Sequence, residues 1–167
     1  MSAPTTTDQV IQETDILKPD GLITFPARDK PLDPHEFFNR MGVSISDSFR
    51  KDVFPVLMSV ASTPERTYGV EHLKDDYLDR EIRQNLPKHH LGNWEDIASL
   101  IEMYPNGKEE EEGYNRLYLE GVDRKIFVVR VKWLSGYREW FVGGIMIDSP
   151  HRDGAGDRVL YPDNVAL

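Results

Sequence analysis

The stretch that decides the fold is residues 126–146, IFVVRVKWLSGYREWFVGGIM. It contains two runs rich in β-branched and aromatic residues, joined at Ser135 and Gly136, and such runs are typical of paired strands. The run at 115–120, NRLYLE, has the same character, and residues 158–161 could add a short last strand. We therefore expect a C-terminal antiparallel β-meander of three to four strands.

The hairpin within this stretch has one strongly apolar face. If Ser135 and Gly136 form a two-residue loop, Val131 lies opposite Trp140. Because side chains alternate along a strand, the following residues share one face: Phe127, Val129, Val131, Trp133, Trp140, Val142 and Met146. We expect this face to be the core, with the helices covering it.

Helical patterns precede the meander. One or two turns are predicted at residues 35–41, and a segment capped by Asp47 should break near residues 52–54 because of Pro55. Apolar residues at helical spacing predict the longest helix at Val70–Leu86, and Asn93 should cap another. The expected fold class is therefore α+β, with three to four helices packed on one face of the meander.

The first part of the chain differs from the rest. Residues 1–33 are rich in Ser, Thr, Asp and Pro, which indicates an extended, partly flexible N-terminal arm. Residues 34–167 are predicted to form a single α+β domain. Within the arm, Leu22, Ile23 and Phe25 could lie against the domain or against a partner.

Composition excludes several classes of function. Acidic residues outnumber basic residues 29 to 20, and a net charge of −9 argues against nucleic acid as a partner. The chain contains no cysteine and no run of about 20 apolar residues that would cross a bilayer. We expect no membrane partner and a location in the cytoplasm, or within a virion or another intracellular assembly.

The second face of the hairpin, here called the outer face, is half polar and half apolar. A patch of this kind has to be covered by the N-terminal arm, a helix or another molecule. Contact with another protein or with copies of the chain itself is one expectation, and coverage by its own arm is the other. The predicted interaction residues are Leu22, Ile23, Phe25, Ile126, Val128, Arg130, Lys132, Glu139, Phe141 and Ile145.

Residues 148–163, DSPHRDGAGDRVLYPD, combine turn residues with charged side chains. The loop contains triplets like those of protein kinases and of iron oxygenases, but each lacks a second residue that the motif needs. Clustered carboxylates could bind a hard cation, and the candidate ligands are Asp148, His151, Asp153 and Asp157. The favoured interpretation is an ordinary surface turn, so neither a metal nor a cofactor is predicted.

Loop histidines support an alternative, catalytic interpretation. His89 and His90 lie between a helix-ending proline and the next cap, where a histidine can serve as a general base. The candidate catalytic set adds His151, Arg130 and Arg138. Helices followed by a meander with strand arginines resemble the small bacterial toxin ribonucleases of the RelE-like group over the last third of the chain, which implies RNA cleavage.

The sequence favours the non-catalytic interpretation. It predicts a protein-interaction or assembly subunit, such as a phage or viral structural protein or an acidic inhibitor of the immunity type. The N-terminal arm and the outer face of the meander would form the contact. The alternative is a small hydrolase or RelE-like ribonuclease that uses the loop histidines and strand arginines.

Overall fold

The computed structural model describes residues 16–57, 62–107, 113–147 and 152–163. The strands are β1 (Leu17–Phe25), β2 (Ser44–Ile45), β3 (Arg66–Leu73), β4 (Asn115–Glu120), β5 (Ile126–Leu134), β6 (Glu139–Met146) and β7 (Arg158–Pro162). The α-helices are α1 (Pro34–Met41), α2 (Asp79–Gln84) and α3 (Trp94–Met103), with a π-helical turn at Phe49–Val53 and a 3₁₀ turn at Phe54–Val56.

The strands form one mixed sheet of seven, in the order β1-β3-β7-β4-β5-β6-β2. Its neighbours are antiparallel except for the parallel pairs β4–β7 and β2–β6. The predicted fold class, with three to four helices on one face of a meander of three to four strands, is therefore wrong. The meander β4-β5-β6 exists, but it is only part of a larger sheet whose other strands come from distant parts of the chain.

The extended chain expected near residues 22–25 is a strand of this sheet. β1 pairs antiparallel with β3 along its length, from Leu17 opposite Leu73 to Phe25 opposite Arg66. Leu17 and Phe25 are fully buried, because they fill the two cores described below. Residues 1–15 of the predicted arm lie outside the described residues, and the division at residue 33 stays a prediction.

The predicted helix at Val70–Leu86 is wrong. Its first part is β3, and only Asp79–Gln84 is helical. Val70 and Leu73 belong to opposite cores, as expected for an odd spacing in a strand. Since β3 is covered on both faces, it carries apolar residues at spacings that also match a helix.

The cap predicted at Asp47 is wrong, because the Phe49 amide donates to the Ser46 hydroxyl, while the remaining helical predictions are confirmed. Asp33 caps α1 by accepting a hydrogen bond from the His35 amide at 2.9 Å. Asn93 caps α3 by accepting from the Glu95 amide at 3.0 Å. The break expected at Pro55 is the change from the π-helical turn to the 3₁₀ turn.

The β5–β6 hairpin has a longer loop than predicted. Leu134 pairs with Glu139 and Val131 with Val142, so the loop contains four residues, 135–138, and the predicted pairing of Val131 with Trp140 is wrong. Arg138 has a φ of 51°, which completes the turn. The predicted register is wrong by two residues. Because two is the side-chain period of a strand, every side chain remains on its predicted face.

Two apolar cores cover the two sides of the sheet. The inner face of the hairpin packs against α1, α3 and residues 49–56, and it buries the predicted core residues Phe127, Val129, Val131, Trp140 and Val142. On the other side, Val128 and Tyr118 are buried with Ile82 of α2. Helical segments therefore lie on both faces. Within the described ranges, no helix is long and apolar enough to span a membrane.

Candidate functional site

A buried arginine lies at the centre of the outer side of the sheet. Arg116 of β4 is fully buried and contacts three carboxylates from distant parts of the chain. Its Nη1 donates to Asp79 at 2.7 Å, and its Nη2 donates to Asp157 at 2.8 Å and to Asp153 at 3.0 Å. Its Nε also donates to Asp157, at 3.2 Å. The arginine therefore joins α2 and the loop before β7 to the sheet.

Local backbone features bring the carboxylates to Arg116. Asp79 is the first residue of α2, and Asp153 exchanges backbone hydrogen bonds with Tyr77 at 3.1 and 3.2 Å. Between the two loop aspartates, Gly154 has a φ of 105°, and a Cβ atom there would come 2.7 Å from Nη2 of Arg116. A glycine is needed at this position for both reasons.

The charges in this cluster stabilise one another. Burial opposes ionisation of Arg116, but Tyr118, Asp79 and Asp157 outweigh it and raise the pKa of the guanidinium above its ordinary value. Burial, together with the Asp79 charge, raises the pKa of the Tyr118 hydroxyl, which donates to Asp79 at 2.8 Å. Burial would raise the pKa of Asp153, but hydrogen bonds and charge from Arg116 and Arg130 lower it overall. The cluster is a closed set of ion pairs.

A second arginine connects this cluster to the surface. Arg130 of β5 lies directly opposite Arg116, and its Nη2 contacts the second oxygen of Asp153 at 2.7 Å. On its other side Arg130 pairs with Gly143 of β6, which has no side chain to cover it. The Arg130 guanidinium is therefore held by Asp153, and the side chain borders a gap in the outer face.

This gap is a cleft of about 180 Å³ with Gly143 and Gly144 in its floor. We call it the outer cleft. A Cβ atom on Gly143 would come 3.1 Å from the Phe141 ring and 3.6 Å from the Ser46 hydroxyl, so this ring and hydroxyl lie close over the glycine at the edge of the cleft. The cleft wall consists of Ser46, Ser48, Tyr114, Arg130, Phe141 and Ile145.

The outer cleft combines aromatic rings with hydrogen-bond donors. The rings of Tyr114 and Phe141 are 6.4 Å apart, and the Lys132 ammonium lies 5.3 Å from the centre of the Tyr114 ring. The hydroxyls of Ser46 and Ser48 are 3.1 Å apart. Within the described part of the chain, the buried Nε of Arg130 has no hydrogen-bond partner.

A second cavity, of about 160 Å³, lies between the α3 N-terminus and β4. Leu57, Leu91, Trp94 and Leu119 line most of it, and Glu120 is its one charged lining residue. It offers few directional groups compared with the outer cleft. The outer cleft is therefore the stronger candidate site.

The predicted interaction residues separate into three groups. Arg130, Phe141 and Ile145 line the outer cleft, with Lys132 beside it, and Glu139 lies on the same face towards the hairpin loop. Ile126 and Val128 pack into the core beneath α2. Leu22, Ile23 and Phe25 belong to β1, which is five strand spacings, or about 24 Å, from β6. Of these three, only Leu22 is largely exposed, at 66%.

The candidate catalytic residues are spread over the molecule. His90 is buried against Tyr118, its Nδ1 bonds the Pro87 carbonyl at 2.8 Å, and its Nε2 accepts from Arg83 at 3.0 Å. Burial lowers the pKa of His90, so the neutral ring is favoured. Arg138 is exposed in the hairpin loop and lies far from His90. His90 packs on Tyr118, which pairs with Val128, and Val128 is six residues, or about 20 Å, along β5 from the hairpin loop. His89 is exposed, and His151 lies outside the described residues.

The candidate metal ligands face an arginine. Asp153 and Asp157 bind Arg116, whose guanidinium occupies the position between them that a cation would take. Asp148 and His151 lie outside the described residues. Across the described ranges, no group of three or more His, Cys, Asp or Glu side chains could hold a metal ion.

Sequence reasoning missed Arg116, Tyr114, Ser46 and Ser48. A usable signal existed for Arg116, because it shares the outer face of a short apolar strand with Tyr118, where an unpaired charge would be costly. The serines gave no signal, since β2 and its parallel pairing with β6 are set by distant residues.

Comparisons with protein-family models, with curated proteins and with solved structures found no match to this chain.

Proposed function

We propose that this chain is a non-catalytic protein-binding domain that holds a side chain of another protein, or of another copy of itself, in the outer cleft. The observation that carries the proposal is the gap over Gly143, where aromatic and aliphatic side chains surround an open space beside Arg130. Interface anchors are typically single side chains that enter such gaps, with aromatic and arginine residues around them.

The size of the cleft supports a protein partner. Pockets for small-molecule substrates and cofactors usually measure about 300–1,000 Å³. The outer cleft, at about 180 Å³, is smaller and suits one side chain. The open surface around it, with Lys132 and Glu139 on the same face, offers the polar rim that surrounds an interface anchor.

The chemistry beneath the cleft also favours a binding role. Arg116 and its carboxylates are paired with one another, and such closed ion pairs position a surface and do not transfer protons. His90 uses both ring nitrogens within the fold, and burial lowers its pKa. Through Asp153 and Asp157, Arg116 holds the loop at residues 152–157 to the sheet, and Asp153 also contacts Arg130 beside the cleft.

Site-specific photo-cross-linking in the source cells tests the proposal. A benzophenone side chain replaces Glu139, two residues from Phe141 on the same face, and a matched variant carries it at Val122, which is 63% exposed in the turn between β4 and β5. We expect one discrete adduct from position 139 and none from position 122. Mass spectrometry then distinguishes a second copy of the chain from a different protein. No adduct at position 139, or the same products from both positions, contradicts the proposal.

A further inference from the structure

We infer that the partner presents a carboxylate to Arg130 and Lys132, next to an aromatic or large aliphatic side chain that fills the space over Gly143. The inference rests on the proposed binding function, and it assigns the chemistry of the group that the outer cleft receives. The partner segment would therefore carry an acidic residue, or a C-terminal carboxylate, beside an apolar residue.

The one charged side chain that lines the cleft is a cation, although the whole chain is acidic. The net charge is −9, yet the cleft lining contains Arg130 and no carboxylate, and the Lys132 ammonium lies over Tyr114 beside it. The carboxylate nearest to Arg130 is Asp153, which already binds both Arg116 and Arg130. A partner carboxylate would meet two cations at this surface without a competing acid in the cleft.

Arg130 lines the cleft and uses only part of its hydrogen-bonding capacity within the described structure. A guanidinium has five N–H donors, and Nη2 is the atom that contacts Asp153, at 2.7 Å. Its Nε is buried without a partner among the described residues. The two oxygens of a carboxylate match the planar fork of a guanidinium.

The serine hydroxyls add a further donor. Ser46 and Ser48 share one hydrogen bond, and the Ser46 oxygen also accepts from the Phe49 amide at 3.1 Å. Two hydroxyls carry two protons, and their mutual bond uses one of them. The second proton is available to an acceptor in the cleft, such as a carboxylate oxygen.

The apolar wall excludes a bare anion as the natural ligand. Tyr114, Phe141 and Ile145 surround the gap, and an inorganic ion would leave these surfaces exposed to water. A ligand that combines a carboxylate with a ring would bury them. Phosphate groups of nucleic acid would also meet the long-range repulsion of a strongly acidic chain.

A minimal probe tests the inference on the full chain. N-acetyl-L-phenylalanine, ionised at pH 7, carries a ring and a carboxylate, while N-acetyl-L-phenylalaninamide carries the ring without the charge. We expect the acid to shift the amide NMR signals of Gly143 and Gly144 saturably, and to bind at least about tenfold more tightly than the amide, as expected for loss of a charged hydrogen bond. Equal binding of acid and amide, or no binding of the acid, overturns the inference, as does inorganic phosphate binding as tightly as the acid.

Three variants test whether the acid binds in the outer cleft. Arg130→Gln removes the guanidinium and should weaken binding of the acid at least about tenfold. Gly143→Val keeps every charge, places side-chain atoms against the Phe141 ring at the cleft and should abolish the shift of the Gly144 signal, which keeps the test decisive if Arg130→Gln is unstable. Arg138→Gln removes the same charge from the exposed hairpin loop and should bind like the unmodified chain. Unchanged binding in Gly143→Val overturns the inference.

Different results would refute the protein-binding function and the carboxylate inference. A discrete cross-linked partner from position 139, together with no binding of the acid, would leave the protein-binding function standing and refute the carboxylate. Saturable binding of the acid without any cross-linked protein would refute the protein-binding function instead.

Discussion

Arg116 and Arg130 lie directly opposite each other on β4 and β5, and one carboxylate, Asp153, binds both. Like charges in direct cross-strand positions destabilise a sheet unless a counter-charge lies between them. Asp153 supplies this counter-charge and connects the loop at residues 152–157 to the sheet. It also holds Arg130 against the floor of the outer cleft, so the structural ion-pair cluster and the proposed binding surface are connected.

Replacing Arg116 should strongly destabilise the fold. Arg116→Met leaves Asp79 and Asp157 buried without their cation, and breaking a buried pair in this way typically costs about 3–5 kcal/mol. Urea denaturation followed by far-UV circular dichroism measures the free energy of unfolding. Arg124→Gln is the matched control, because its side chain is 88% exposed and should change stability by less than about 0.5 kcal/mol. A loss below about 1 kcal/mol for Arg116→Met would contradict the role given to the cluster.

Asp153 should make stability depend on acidic pH. Its pKa is lowered in the folded state, chiefly by Arg116 against the opposing effect of burial, so the unfolded chain takes up its proton first as the pH falls. The stabilisation is complete above the unfolded pKa of about 3.9 and is lost as the pH falls through the lower folded pKa.

Denaturation at a series of pH values from 7 to 3 measures this contribution. Asp153→Asn should be less stable at pH 7 and should lose less stability than the unmodified chain as the pH falls below about 4. Asp47→Asn, a change at a fully exposed carboxylate, is the control and should follow the unmodified chain. Parallel pH profiles for Asp153→Asn and the unmodified chain would refute this assignment.

The pairing of β3 with β7 can be tested at Gly69. Gly69 lies opposite Tyr161, and a Cβ atom on Gly69 would come 2.8 Å from the Tyr161 ring. Gly69→Ala should therefore cost about 1–3 kcal/mol through overpacking, and Tyr161→Ala should relieve most of that cost in the double variant. Gly136→Ala, in the open hairpin loop, is the control and should not destabilise the chain. Additive effects of the Gly69 and Tyr161 changes would argue against this contact.

The elements that were predicted correctly are those determined by residues close together in the sequence. Strands β4 to β6, both capped helices and the two faces of the hairpin follow from alternation, caps and turns that lie close together in sequence. The register error arose because a four-residue loop with Arg138 at positive φ resembles a two-residue loop at Ser135–Gly136.

Long-range pairing accounts for what sequence reasoning missed. β3 lies between β1 and β7, strands that come from opposite ends of the chain, and no local pattern indicates such partners. For the same reason the loop carboxylates Asp153 and Asp157 looked like a surface turn or a cation site, when their partner was Arg116 on β4. The outer cleft depends on Gly143, which the sequence marked only as a weak point or bulge of the strand.

Filling the outer cleft without changing any charge tests the central claim most directly. Gly143→Val is introduced into the chain that carries the benzophenone at position 139, and the yield of the cross-linked adduct is compared in the same cells. Loss of a hot-spot contact weakens binding by about 2 kcal/mol or more, so we predict that the adduct falls by about tenfold or more. An undiminished adduct from a folded Gly143→Val chain would contradict the claim that the outer cleft receives the partner.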